Sequence, residues 1–219
     1  MFRVILYSQW KWSRLFVVLG TVAGFVVPIL SVQGATAESA TRAGAAGQLL
    51  LTVQSWGVLY PVLATTLAVL LAIMTWAPDH RGRHVHALSL PLPRWRYALL
   101  RFSAGLVLLT PPILAVLAGA VLATRLAVIP PGLQGYPIAL AVRFALAVGV
   151  GYAVFFAISA GTSRTASIIL ASLGGLIVIQ VLAGVADVNL DLFGRVQMVF
   201  LNWPGPLAIF TGRWMLIDV

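Results

Sequence analysis

Charged residues divide this chain at regular intervals, and the apolar runs between them are long. Charge-free stretches cover residues 15–37, 43–78, 102–124, 126–163 with the single interruption of Arg143, and 165–186. An ionised side chain at the centre of a bilayer costs roughly 2.5 to 3.5 kcal/mol on insertion scales, so charges collect between spans. A helix crosses the hydrocarbon core in roughly 20 residues. The pattern therefore predicts transmembrane helices near 15–33, 55–77, 102–123, 138–160 and 165–184.

The segments outside these spans have characters of their own. Residues 1–14 mix Phe2, Val4, Ile5, Leu6, Trp10 and Trp12 with Arg3, Lys11 and Arg14, a composition that suits a helix lying in the headgroup layer. Lys11 and Arg14, the apolar run that follows and Ala35-Thr36-Ala37 also have the layout of a secretory signal. The charge-free interval 15–37 is nevertheless long enough to cross a bilayer, and a first transmembrane helix is expected there. Residues 34–47 are rich in Gly, Ala, Ser and Thr, as in a solvated connector. Within 185–206, Asp187 and Asp191 open a candidate interfacial or re-entrant helix that Trp203-Pro204-Gly205-Pro206 ends. Residues 207–219 are too short for a full span and are a candidate start of a sixth.

Composition sharpens this picture. Apolar residues make up 61% of the chain and charged ones 9%, where soluble domains carry about a quarter charged residues. With a mean hydropathy of +1.01, a water-soluble fold is not expected. The net charge of +9 does not indicate nucleic acid as a partner, because the basic residues are scattered among apolar runs without a polar domain. The absence of cysteine removes disulfides and thiolate metal sites together.

Basic residues also orient the chain. With alternate loops on alternate sides, one side holds Arg3, Lys11, Arg14, Arg81, Arg83, Arg94, Arg96, Arg101 and Arg164, and the other Arg42, Arg125, Arg143 and Arg195. Lys and Arg accumulate on the cytoplasmic side. The expectation is a cell (inner) membrane protein with a cytoplasmic N-terminus and a cytoplasmic loop over 78–101. Small residues at spacing four mark faces where helices approach closely: Gly20 and Gly24; Ala115, Gly119 and Ala123; Ala145, Gly149, Ala153, Ala157 and Gly161; Ser167, Ala171 and Gly175. Packing within one bundle is expected to use most of them.

Intramembrane chemistry is sparse. The carboxylates are Glu38, Asp79, Asp187, Asp191 and Asp218, none near the middle of a predicted span, which disfavours a carboxylate-driven secondary transporter. The histidines, His80, His84 and His86, all lie in the 78–101 loop, so no span offers the ligand that haem requires. His80 and His84, four apart, could meet as metal ligands, yet Gly82 weakens a helix there, and no metal site is assigned. Arg143 has two readings: contact with an anionic substrate or lipid group, or snorkelling to the nearby interface.

The loop itself runs from Asp79-His80-Arg81-Gly82-Arg83-His84 through an apolar patch, Ala87-Leu88-Ser89-Leu90, to Pro91 and Pro93, then Arg94, Trp95, Arg96 and Tyr97. Taken alone, it could be a basic loop that merely fixes topology. The order of features, however, resembles the permease subunits of ATP-binding-cassette exporters of the ABC-2 type. The similarity extends over most of the chain: an amphipathic N-terminal helix, a first span, a small outer loop, a second span, then a coupling helix with an acidic residue and a Gly before a Leu-Ser-Leu-Pro stretch and an Arg. Here these are Asp79, Gly82, Leu88-Ser89-Leu90-Pro91 and Arg94. The Arg and His cluster after Asp79 and the incomplete sixth span depart from the family's pattern.

That resemblance implies an all-α integral membrane permease domain over 1–219, with five to six transmembrane helices, an interfacial helix over 1–14, a coupling loop over 78–101 and an outer helix over 185–206. It also implies a partner. The chain has no phosphate-binding loop, so ATP and magnesium belong to a separate nucleotide-binding ATPase subunit. This chain is then expected to be a transport subunit, not an enzyme, and to hold no cofactor. It would pair with itself or a related permease, contact membrane lipids and move a hydrophobic or amphipathic substrate. Asp79, His80, Arg81, Gly82, Arg83, His84, Ala87, Leu88, Ser89, Leu90, Pro91 and Arg94 would meet the ATPase, with Leu88 and Leu90 as apolar anchors. The alternative is a non-transporting scaffold or assembly subunit of a larger membrane complex.

Overall fold

A computed structural model of the chain describes residues 1–33, 45–81, 93–160, 175, 179, 192–202, 205 and 207–218. In chain order the elements are α1 (Phe2–Ser31), α2 (Ala45–Gly57), α3 (Leu59–Arg81), α4 (Arg94–Leu126), β1 (Gln134–Gly135), α5 (Pro137–Ser159), α6 (Leu192–Leu201), a 3-10 turn (Ala208–Phe210) and β2 (Ile217–Asp218). Among the described residues, four helical stretches are long and apolar enough to cross a membrane: Phe2–Ser31, Ala46–Ala77, Arg94–Leu126 and Pro137–Ser159. The protein is thus a mostly helical membrane protein. The predicted fifth span, 165–184, lies outside the described residues apart from positions 175 and 179, as does the connector 34–44.

Local sequence explains where these helices begin. Pro93 is extended at φ −62° and ψ 139° and directly precedes α4, while Pro137 is the first residue of α5. Proline supplies no N–H and fixes φ, so both sites suit a helix start. Between α4 and α5 the chain reverses at Pro130-Pro131-Gly132-Leu133, where the Leu133 amide donates to the Pro130 carbonyl at 3.2 Å. Gly132 has φ +89°, the third-position geometry of a type II turn that favours glycine. Serine and threonine hydroxyls within the helices donate back to carbonyls one turn earlier, as Ser13 does to Gln9 and Thr75 to Leu71. Such bonding satisfies hydroxyls that have no water to meet.

The burial pattern is that of a bundle in lipid. The inward face of α1 is Gln9, Ser13, Val17, Gly20, Gly24, Pro28 and Ser31, whereas Leu15, Val18, Leu19, Val22, Phe25 and Val26 face outward. Small or polar residues inside and large apolar ones outside invert the soluble arrangement, because in lipid the helices gain more from close backbone approach than from burying oil-like side chains. Gly24 packs on the Pro112 carbonyl and Val116, and a side chain at Gly119 would collide with the Phe25 carbonyl. The small-residue faces of α1 and α4 therefore meet each other. On α5, Ala153 and Ala157 are exposed, so that part of the stripe does not face the described bundle.

Directions follow from these contacts. Gln9 lies beside Arg101 and Phe25 beside Gly119, so α1 and α4 run parallel. Trp76 packs on Phe156, and Phe102 on both Tyr152 and Phe156, so α3 and α5 run together and oppose α4. One end of the bundle carries Gln9, the close of α3, the start of α4 and the close of α5; it is called the basal end below. At the opposite end β1 and β2 pair antiparallel in the register Gln134↔Asp218 and Gly135↔Ile217.

Three expectations change. No break separates residues 1–14 from the first span, since α1 is continuous from Phe2; no Gly or Pro occurs before Gly20 to stop it. The second crossing comprises two helices, α2 and α3, meeting at Val58. Residues 207–218 do not begin a sixth helix. Their carbonyls are drawn sideways to Arg143 and to the β1 segment, including Leu216, which accepts from the Tyr136 amide at 2.8 Å.

Candidate functional site

The basal end gathers polar and aromatic side chains from several helices around Arg101. This residue sits on α4 with only 7% of its surface exposed. Its guanidinium donates to the Thr75 carbonyl of α3 and lies over the rings of Trp76, 5.3 Å from the centroid, and Tyr97, 4.8 Å away. From α1, Gln9 Nε2 donates to the Arg101 carbonyl at 3.1 Å. From α5, the Tyr152 hydroxyl stands 3.5 Å from Thr75 Oγ1, and Phe102, Tyr152 and Phe156 cluster beside it with centroids 5.3 to 5.6 Å apart.

The four described crossing helices are thereby tied at one level. Burying a guanidinium is costly unless its donors and faces find partners. Here the Thr75 carbonyl and two ring faces supply part of that compensation, each cation–π contact contributing on the order of 0.5 to 2 kcal/mol. The arrangement is a joint between helices.

This joint flanks the candidate coupling loop. Asp79, His80 and Arg81 are the last three positions of α3, and Arg94 is the first of α4, where it is exposed. Gly82, Arg83, His84, Ala87, Leu88, Ser89, Leu90 and Pro91 lie outside the described residues. Positions 94–101, included in the loop on sequence grounds, belong to α4. Counting from the loop, Thr75 lies six residues before Arg81 and Arg101 seven after Arg94, so both strands of the connection lead straight into the joint.

At the opposite end a second arginine gathers the chain. Arg143 of α5 donates through Nε to the Ile209 carbonyl at 3.3 Å, through Nη1 to Arg213 and through Nη2 to Thr211. Its guanidinium also lies 4.5 Å from the centroid of the Trp214 ring. Trp214 in turn stacks on Tyr60 of α3 with centroids 6.3 Å apart, and Leu216 and Ile217 are fully buried. Arg143 reaches into the chain's own later segment and holds it across the end of the bundle. The contacts span 66 to 70 residues, a separation that no local pattern reveals.

Sequence reasoning missed the joint as well. Arg101 was legible only as the last cation before a span; the available signal was Tyr97 four residues earlier, which shares its helical face. Gln9 and Thr75 carry no signal by type. Among the described residues no cluster of three metal-ligating side chains occurs. No family model, curated protein or solved structure matches the chain.

Proposed function

We propose that the protein is the permease subunit of an ATP-binding-cassette transporter of the ABC-2 type, moving a hydrophobic or amphipathic substrate under the power of a separate ATPase. The observation that supports this reading is the Arg101 joint. The segment linking α3 to α4 is flanked within two turns on each side by residues that bind α1, α3, α4 and α5 together. A push on that segment would reach all four helices as one rigid body, which is what a coupling element requires. The N-terminus and this segment are cytoplasmic in this reading, on the strength of the basic residues clustered there.

The partner ATPase would hold the ATP and magnesium, and its cleft would receive the short apolar stretch around Leu88 and Leu90, with Asp79, Arg81 and Arg83 setting polar contacts. Two such permease chains, identical or related, would enclose the substrate path.

The test is capture. A tagged chain purified in mild detergent should bring down a nucleotide-hydrolysing subunit, and Leu88→Asp should abolish that capture or the complex's ATP turnover. Purification that yields no such partner overturns the reading and leaves the scaffold alternative. Flux that runs on an ion gradient without ATP overturns both.

A further inference from the structure

Between the first ten residues of α1 and the middle of α4 lies a groove of about 370 Å³. Leu6, Val107, Leu108 and Pro111 form its apolar walls, and Arg3, Tyr7 and Trp10 line its α1 side. Leu108 is its buried floor, while Tyr7 and Val107 are exposed, so the groove opens outward from the bundle. In a membrane protein such an opening faces lipid. An apolar slot at that position is filled by hydrocarbon, because water there would leave its hydrogen bonds unmet.

Charge selects the kind of lipid. Besides Arg3, this end of α1 carries Lys11 and Arg14, both exposed. Among residues whose side chains are described, the one carboxylate is Asp218, in β2 at the opposite end. Tyr7 and Trp10 are the amphipathic aromatics that favour headgroup depth. A basic pocket between membrane helices beside an apolar slot is matched by an anionic headgroup with its acyl chain. We propose that this groove binds one anionic phospholipid, with the phosphate at Arg3 and an acyl chain along Leu6, Leu108 and Pro111. The site does not depend on the transport reading, since a scaffold would carry it equally.

The test uses the full chain in detergent, incubated with equimolar phosphatidylglycerol and phosphatidylcholine of the same acyl chains, with retained lipid counted by native mass spectrometry. One phosphatidylglycerol per chain should be kept about fivefold over phosphatidylcholine, the ratio expected from about 1 kcal/mol per interfacial cation. Arg3→Gln should erase that preference, and Val107→Trp, which fills the groove, should reduce retention of both lipids several-fold. Arg96→Gln, off the groove, should leave the preference in place. Equal retention of the two lipids, no effect of Val107→Trp, or equal losses in Arg3→Gln and Arg96→Gln each overturn the site. Displacement of the lipid by glycerol 3-phosphate overturns it too, since the headgroup alone would then suffice. A second readout covers loss of folding in a variant: phosphatidylglycerol with brominated chains should quench wild-type tryptophan fluorescence more than that of Trp10→Phe, and equal quenching counts against the groove.

Discussion

Two arginines do opposite jobs with the same chemistry. Each offers a planar fork of donors and a face that stacks on aromatic rings. Arg101 spends these on neighbouring helices and Arg143 on a distant stretch of chain. Arg101→Ala would remove the side-chain donor to the Thr75 carbonyl and strip two ring contacts. Destabilisation of about 2 to 4 kcal/mol is expected, measured by denaturant unfolding in detergent, with Arg101→Lys recovering only part because an ammonium cannot form both ring contacts and the carbonyl bond together. Arg143→Gln should act locally instead. It frees the strap over residues 209–213, and trypsin should then cut after Arg213 about tenfold faster, as expected for a local opening eased by about 1.4 kcal/mol. Unchanged cleavage would mean that the β1–β2 pairing and the Tyr60–Trp214 stack hold the strap without the arginine. Neither role was readable from the residues alone, since charge in a sequence marks where a span ends and says nothing of which carbonyls will meet it.

Among the elements, the crossing helices were largely legible and their ends less so. Charge spacing located α4 and α5 because lipid tolerates apolar runs and expels ions, a rule that needs no tertiary knowledge. It failed at residues 1–14, where composition suggested a separate interfacial helix. Mixed charge and aromatics signal the headgroup layer but do not break a helix, and nothing in that segment interrupts the hydrogen-bond ladder. The small-residue faces were legible in another sense, since Gly24 and Gly119 mark the seam where α1 and α4 touch. Gly119→Leu should force that seam apart and cost about 1 to 3 kcal/mol as overpacking, seen as a lower melting temperature. Gly149→Leu on α5, where no described atom lies within 4 Å of an added Cβ, should leave the melting temperature of the described bundle nearly unchanged.

For the whole molecule, the arrangement of directions makes one clean prediction. With no native cysteine, single replacements report sidedness without background. Gly132→Cys, in the turn between α4 and α5, should react with a membrane-impermeant maleimide in intact cells, and Arg94→Cys only after permeabilisation. The reverse result would invert the orientation drawn from the basic residues and with it the cytoplasmic placement of the coupling loop. The strap adds a constraint of time. While the ribosome is still adding residues, α5 enters the bilayer with its guanidinium lacking the three carbonyls that will eventually surround it. Those acceptors are made 66 to 70 residues later, a delay of roughly 3 to 14 s at 5 to 20 residues per second. During that interval the guanidinium near the membrane face has only water and headgroups as partners, and the carbonyls of residues 209–213 replace them on arrival.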